Sequence, residues 1–229
     1  MFDGGIEHND TYFSDKVRKM SDKIWNHLEH RLCSDNKEMY QYLRHHYANV
    51  VALKRPLKCV VLIGGPGTGK TIFTNFICDK VLGNRIALRF MLYNHIISQQ
   101  FINHLKGKVM VVLEKTFDRI ESNNIMEQLI TSEEITINEM HREAYSVENN
   151  ISFTIVSNTT SHAFTENKYG LYVISYVKST DDLRNNAKYF SDLAECTKNE
   201  KVAACFYHQC LEIAKNDFDF DKIPIATHD

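Results

Sequence analysis

The sequence predicts an α/β fold: a phosphate-binding core built on a mostly parallel sheet of about five strands, preceded by a helical region and followed by C-terminal helices. Three observations predict it. Five short apolar runs, most of them rich in Val and Ile, alternate with helical patterns, as in sheets covered on both faces. A glycine-rich octapeptide joins one of these runs directly to a helix. Both ends of the chain carry apolar residues at spacings of three and four.

The 229 residues, 43% of them hydrophobic and 24% charged, suffice for one α/β domain with a small helical appendage. With 27 basic and 29 acidic residues the net charge is −2, so composition neither announces nucleic-acid binding nor excludes it. A ring-shaped assembly can still focus a few cations from each subunit into one channel. Six cysteines at 33, 59, 78, 196, 205 and 210 form no C-x-x-C pair, and no secretory leader is recognisable. Reduced thiols in an intracellular protein are therefore expected, and apolar runs such as Val109–Leu113 are too short to insert into a membrane.

Val17, Met20, Ile24, Leu28 and Leu32 define one face of a first helix. Asp35, followed three residues later by Glu38, predicts a capping box for a second helix that turns Tyr40, Leu43, Tyr47 and Val50 inward. These helices form an expected region 1–55. The core, 56–180, carries strand candidates at Lys58–Ile63, Ile86–Phe90, Lys108–Leu113, Ile151–Ser157 and Leu171–Val177. Helical patterns lie between them at Gly69–Leu82, His95–Leu105 and Asn124–Ile130. Region 181–229 returns to helix at Leu183–Cys196 and Lys198–Lys215 before a polar tail.

Gly64-Gly65-Pro66-Gly67-Thr68-Gly69-Lys70-Thr71 fits the pattern G-x-x-x-x-G-K-[ST] in its required place, after a strand and opening a helix. Glycines let backbone amides converge on phosphate oxygens, and the helix N-terminus adds its positive end. Gly65, Pro66, Gly67, Thr68, Gly69, Lys70 and Thr71 are thus candidates to bind ATP, with Lys70 reaching the β and γ phosphates and the Thr71 hydroxyl ligating Mg²⁺. Glu114, closing a buried run 43 residues beyond Thr71, is the candidate acidic partner for Mg²⁺. Asn158, at the end of a third run, would orient a water near the γ-phosphate; alone, Ser157-Asn158 reads as an ordinary turn. Cys196, Cys205, His208 and Cys210 have no recognised zinc spacing and read as a helix with buried thiols, and Tyr40, Tyr42, Tyr47 and His45-His46 read as packing.

Three strand-end motifs in this order resemble the superfamily 3 helicases of DNA viruses, and in particular the C-terminal motor of poxvirus-like and phage or plasmid primase-helicases. The stretch Phe101–Lys108, the segments Leu129–Thr131 and Ile135–Ile137, and the later Tyr189-Phe190, Phe206-Tyr207 and Phe218–Thr227 are similar to that branch. The resemblance implies an AAA+ core, oligomerisation through the N-terminal helices into a hexameric ring, and an ATP site shared between subunits. It further implies single-stranded DNA as ligand, a primase or other replication protein as partner, and host cytoplasm or nucleus as location. A DNA-gripping hairpin is expected near Ile135–Val147, with Met140, flanked by His141 and Arg142, where the family has a lysine.

The departures are specific. Glu114 is followed by Lys115, where the family has a second acidic residue to polarise the attacking water. Lys168 stands at the match for the arginine finger, and lacks the planar fork of Arg. Catalytic candidates are therefore Lys70, Glu114, Asn158 and Lys168. Two readings stay open: a working ATP-driven motor, or a nucleotide-binding scaffold of the same fold that has lost hydrolysis. A P-loop kinase is the weaker third, because the nine arginines form no cluster suited to a phosphate lid.

Overall fold

The computed structural model describes residues 13–90, 99–114, 120–159, 170–178 and 187–225. Helix α1 (Asp15–His27) starts at Ser14, whose hydroxyl accepts from the Val17 amide, and runs on as a π-helical turn over Leu28–Leu32. Helix α2 (Lys37–Val51) follows. Its N-cap is Asn36 and not the expected Asp35: Asn36 is extended and its side chain accepts from Met39 N at 3.0 Å. Asp35 sits at φ +60, outside the extended region a cap requires, and its carboxylate pairs with Lys178 and His30 at 2.9 and 2.7 Å. The capping signal was one residue out of frame because a neighbouring strand end claims the Asp35 side chain.

The core then runs β1 (Cys59–Ile63), α3 (Lys70–Asn75) with a π-helical continuation to Leu82, β2 (Ala87–Phe90), α4 (Gln99–His104) and β3 (Met110–Glu114). It continues with α5 (Ile120–Thr131), β4 (Glu134–Ile137), β5 (Tyr145–Glu148), β6 (Ser152–Ser157) and β7 (Tyr172–Tyr176). Helices α6 (Ala187–Lys198) and α7 (Glu200–Ile213) complete the described chain. Five strands form one parallel sheet in the order β2-β3-β6-β1-β7, matching the five expected runs. Strands β4 and β5 make a separate antiparallel hairpin.

Every residue of β1 and β6 is buried, because helices cover both faces of the sheet. The side chains nevertheless alternate. Val60 and Leu62 enter one core with α1, α2, α3, α6 and α7. Cys59, Val61 and Ile63 enter the other with α4, α5 and the hairpin. On the first face the N- and C-terminal helices interlock: Trp25 stacks on Phe206 at 4.2 Å, Tyr42 Oη donates to Phe220 O at 3.1 Å, and Lys54 Nζ donates to Ala214 O at 2.6 Å. Tyr42 and Tyr47 are fully buried packing residues. No helix among the described residues is long and apolar enough to cross a membrane.

Candidate functional site

The glycine-rich segment forms a tight loop between β1 and α3 at the C-terminal edge of the sheet, where parallel α/β proteins gather ligands. Gly67 and Gly69 adopt φ of +78 and +89, left-handed values that an L side chain resists. Gly69 is constrained twice, since a Cβ there would fall 2.4 Å from the His27 ring.

Lys70 is only 4% exposed. Its ammonium donates to Gly64 O at 2.6 Å, Gly65 O at 2.9 Å and Thr68 Oγ1 at 2.9 Å, and Thr68 in turn donates to Gly65 O at 3.0 Å. All three acceptors are neutral. No carboxylate among the described residues pairs with Lys70, and burial lowers its pKa to about 8. Such a cation lacks a compensating anion, so the loop is electrostatically complementary to a negatively charged ligand.

Beside it lies a cavity of about 500 Å³ lined by Pro66–Ile72, Asn158 and Phe190. The fold thus brings Asn158 and Thr71, both exposed, to the same cavity as the loop. Strand β6, which ends at Ser157, lies directly beside β1. Glu114 ends β3 in register with Val156, which faces Leu62. Glu114 therefore sits at the same sheet edge but two strand spacings away, roughly 10 Å from the loop's strand, and it does not line the cavity wall. Lys115 and Lys168 lie outside the described residues.

Met140, His141 and Arg142 lie away from the glycine-rich loop: they form the tip of the β4–β5 hairpin, on the opposite face of the sheet from α3. Met140 is 86% exposed, His141 has φ +61, and Arg142 pairs with Glu139 at 3.0 Å. The hairpin is tied to α4 by Asn103, which donates to Asn138 O at 2.6 Å and accepts from Asn138 N at 2.9 Å.

Sequence reasoning missed three contributors to the site. Phe190 walls the cavity, and His27 and Tyr189 buttress the loop from behind: His27 Nδ1 lies 2.8 Å from Tyr189 Oη, and Nε2 lies 3.3 Å from Gly69 O. Tyr189-Phe190 had a signal, as an aromatic pair in a family-like segment. His27 had none, since it is one of 11 histidines and lies far from the loop in sequence.

Residues 62–169 match the model of a protein family described as a family of unknown function (DUF5906). No curated protein matches the sequence. Among solved structures, two apo forms of the NrS-1 C-terminal region superpose with TM-scores of 0.69 and 0.70 at 18% identity, covering 90% of this chain. A structure of JCV helicase superposes with a TM-score of 0.51 at 13% identity, covering 88% of this chain. The chain shares its fold with these proteins, and it spans 48% of the NrS-1 region and 60% of the JCV helicase chain.

The residues present fit a nucleoside triphosphate, on the strength of the uncompensated Lys70 ammonium and the adjoining cavity. Among the described residues no three His, Cys, Asp or Glu side chains converge to hold a metal. Of the two residues expected to ligate Mg²⁺, Thr71 lines the cavity and Glu114 does not.

Proposed function

We propose that this chain is an ATP-binding motor of the superfamily 3 helicase type, acting on DNA during replication of a virus or mobile element. The observation that carries the reading is the buried Lys70 ammonium, held by three neutral oxygens at the mouth of a 500 Å³ cavity. ATP with Mg²⁺ would supply the phosphoryl group whose hydrolysis drives movement. Lys70 and the loop amides would hold its β and γ phosphates. Thr71 and Glu114 would offer oxygens to the metal, and Asn158 would orient a water. In a hexameric ring Lys168 would face the neighbour's nucleotide. Met140, His141 and Arg142 would meet single-stranded DNA from the exposed hairpin tip, and a primase or other replication protein would be the partner.

A second reading keeps the nucleotide and drops the hydrolysis. It is favoured by Lys115 directly after Glu114, where a carboxylate base is needed. Steady-state ATP hydrolysis with and without single-stranded DNA separates the two, using the wild type, Lys70→Ala and Lys115→Glu. Turnover by the wild type that Lys70→Ala abolishes establishes the motor. Binding without turnover, with activity gained in Lys115→Glu, establishes the scaffold. Absence of nucleotide binding in the folded wild type overturns both.

A further inference from the structure

The loop that precedes Lys70 is held by groups from both ends of the chain, and neither is in the segment that the family model matches. His27 ends α1 and is 1% exposed. The Gly69 carbonyl can only accept, so His27 Nε2 carries the proton and donates to it at 3.3 Å. Nδ1 is then an acceptor, and the Tyr189 hydroxyl donates to it at 2.8 Å. Burial lowers the imidazole pKa to about 4, in keeping with this neutral form of one donor and one acceptor. The Arg31 guanidinium lies 5.9 Å from the centre of the Tyr189 ring. The donors therefore run in one direction, from Tyr189 through His27 to the backbone of Gly69.

Gly69 is where this matters for a ligand. Its φ of +89 sets the direction in which α3 begins, and Lys70 is the next residue. The His27 ring occupies the space where a Gly69 Cβ would stand, with Phe190 Cε1 next at 3.4 Å. Phe190 itself lines the cavity beside the loop. A movement of α1 or α6 is thus transmitted to the loop through one carbonyl hydrogen bond and one aromatic contact.

We propose that the His27–Tyr189 pair positions the phosphate loop, so that affinity for a nucleoside triphosphate depends on the N- and C-terminal helices jointly and not on the central segment alone. The proposal rests on the reading of the loop as a nucleotide site. His27 and Tyr189 act through the Gly69 backbone and are positioning residues.

The test is equilibrium binding of a fluorescent ATP analogue with Mg²⁺ to the full chain, with thermal unfolding measured on each variant. Tyr189→Phe removes one oxygen and leaves the ring, and His27→Leu removes both hydrogen bonds. Each is expected to weaken binding about 5–10-fold, the worth of one buried hydrogen bond. The double variant should be little worse than either alone, because the two bonds form one chain. His27→Gln should restore most of the affinity, since its amide N–H can donate to Gly69 and its carbonyl can accept from Tyr189. Unchanged affinity in folded Tyr189→Phe and His27→Leu, with Lys70→Ala still failing to bind, overturns the positioning role and leaves the nucleotide site standing. A loss of melting temperature without a loss of affinity overturns it equally. Failure of the folded wild type to bind removes the nucleotide reading and the positioning role together.

Discussion

The glycine-rich loop belongs to the parallel sheet and the β4–β5 hairpin is a separate pair of strands packed on its other face, and the two are held in opposite ways. The loop is held at its centre: Lys70, Thr68 and Gly69 are bonded to neighbours within the loop or to helices behind it. The hairpin is bonded by Asn103 at Asn138, but most heavily at its foot. Arg55 donates Nε to Ile151 O, Nη1 to Ser132 O, and Nη2 to Leu129 O and Ile130 O, between 2.7 and 3.2 Å. Asn149 adds donations to Leu129 O and Ser132 O at 2.8 and 2.9 Å. Together they satisfy the carbonyls that end α5 and the turn into β4, groups a helix terminus leaves unpaired. The hairpin tip, by contrast, presents Met140 and Arg142 to solvent. The loop is thus bonded throughout, whereas the hairpin is bonded at its base and open to solvent at its tip.

Removing the foot should have the largest effect. Arg55→Ala deletes four charge-assisted bonds and should lower unfolding stability by about 3–4 kcal/mol in urea titration. Arg55→Lys keeps the charge without the planar fork and should recover only part of it. A loss under about 1 kcal/mol would show that Asn149 alone suffices.

Acid should strike the core on the loop's side next. His46 is fully buried, its Nε2 lies 3.1 Å from Ser152 Oγ at the start of β6, and burial lowers its pKa to about 3. The unfolded chain takes up a proton near the ordinary value of about 6.5 while the folded chain resists it. Stability from this group is therefore complete above pH 6.5 and is lost as pH falls towards 3, on the order of 3 kcal/mol by pH 4. His46→Leu should flatten that part of a stability–pH curve, and an unchanged curve would refute the assignment.

The smallest effect on stability belongs to the tip. Arg142→Ala should change unfolding stability by no more than about 0.5 kcal/mol, because only Glu139 pairs with it among the described residues. In the proposed DNA-binding role it should reduce the salt dependence of single-stranded DNA binding by about 0.7 in the log–log slope. A stability loss several times larger would mean that the tip is structural, and the contrast between the two regions would fail.

Much of this was legible in the chain itself. Four of the five sheet strands lay in runs rich in Val, Ile and Leu, β2 lay in the mixed run Ile86–Phe90, and the hairpin spans Glu134–Glu148 around the expected Ile135–Val147. The glycine-rich loop between β1 and α3 was legible because the pattern G-x-x-x-x-G-K-[ST] fixes the types of four of its eight contiguous residues. The cap of α2 was misplaced by one residue because Asp35 and Asn36 are both capping types, and only the pairing of Asp35 with Lys178 distinguishes them. Arg55 had no sequence signal at all, since its acceptors are backbone carbonyls, which every residue possesses.

By itself the sequence determined which segments become strands, where the glycine-rich loop lies and which residues it contains, because hydrophobic period and glycine geometry act over a few neighbouring residues. Only the tertiary structure decided that β6 lies between β1 and β3, setting Asn158 at the cavity and Glu114 two strands away. It also decided that His27 and Tyr189, 162 residues apart, meet behind Gly69. Those contacts arise when two helices bury their apolar faces against the same side of the sheet, and no local pattern encodes which side chains then meet.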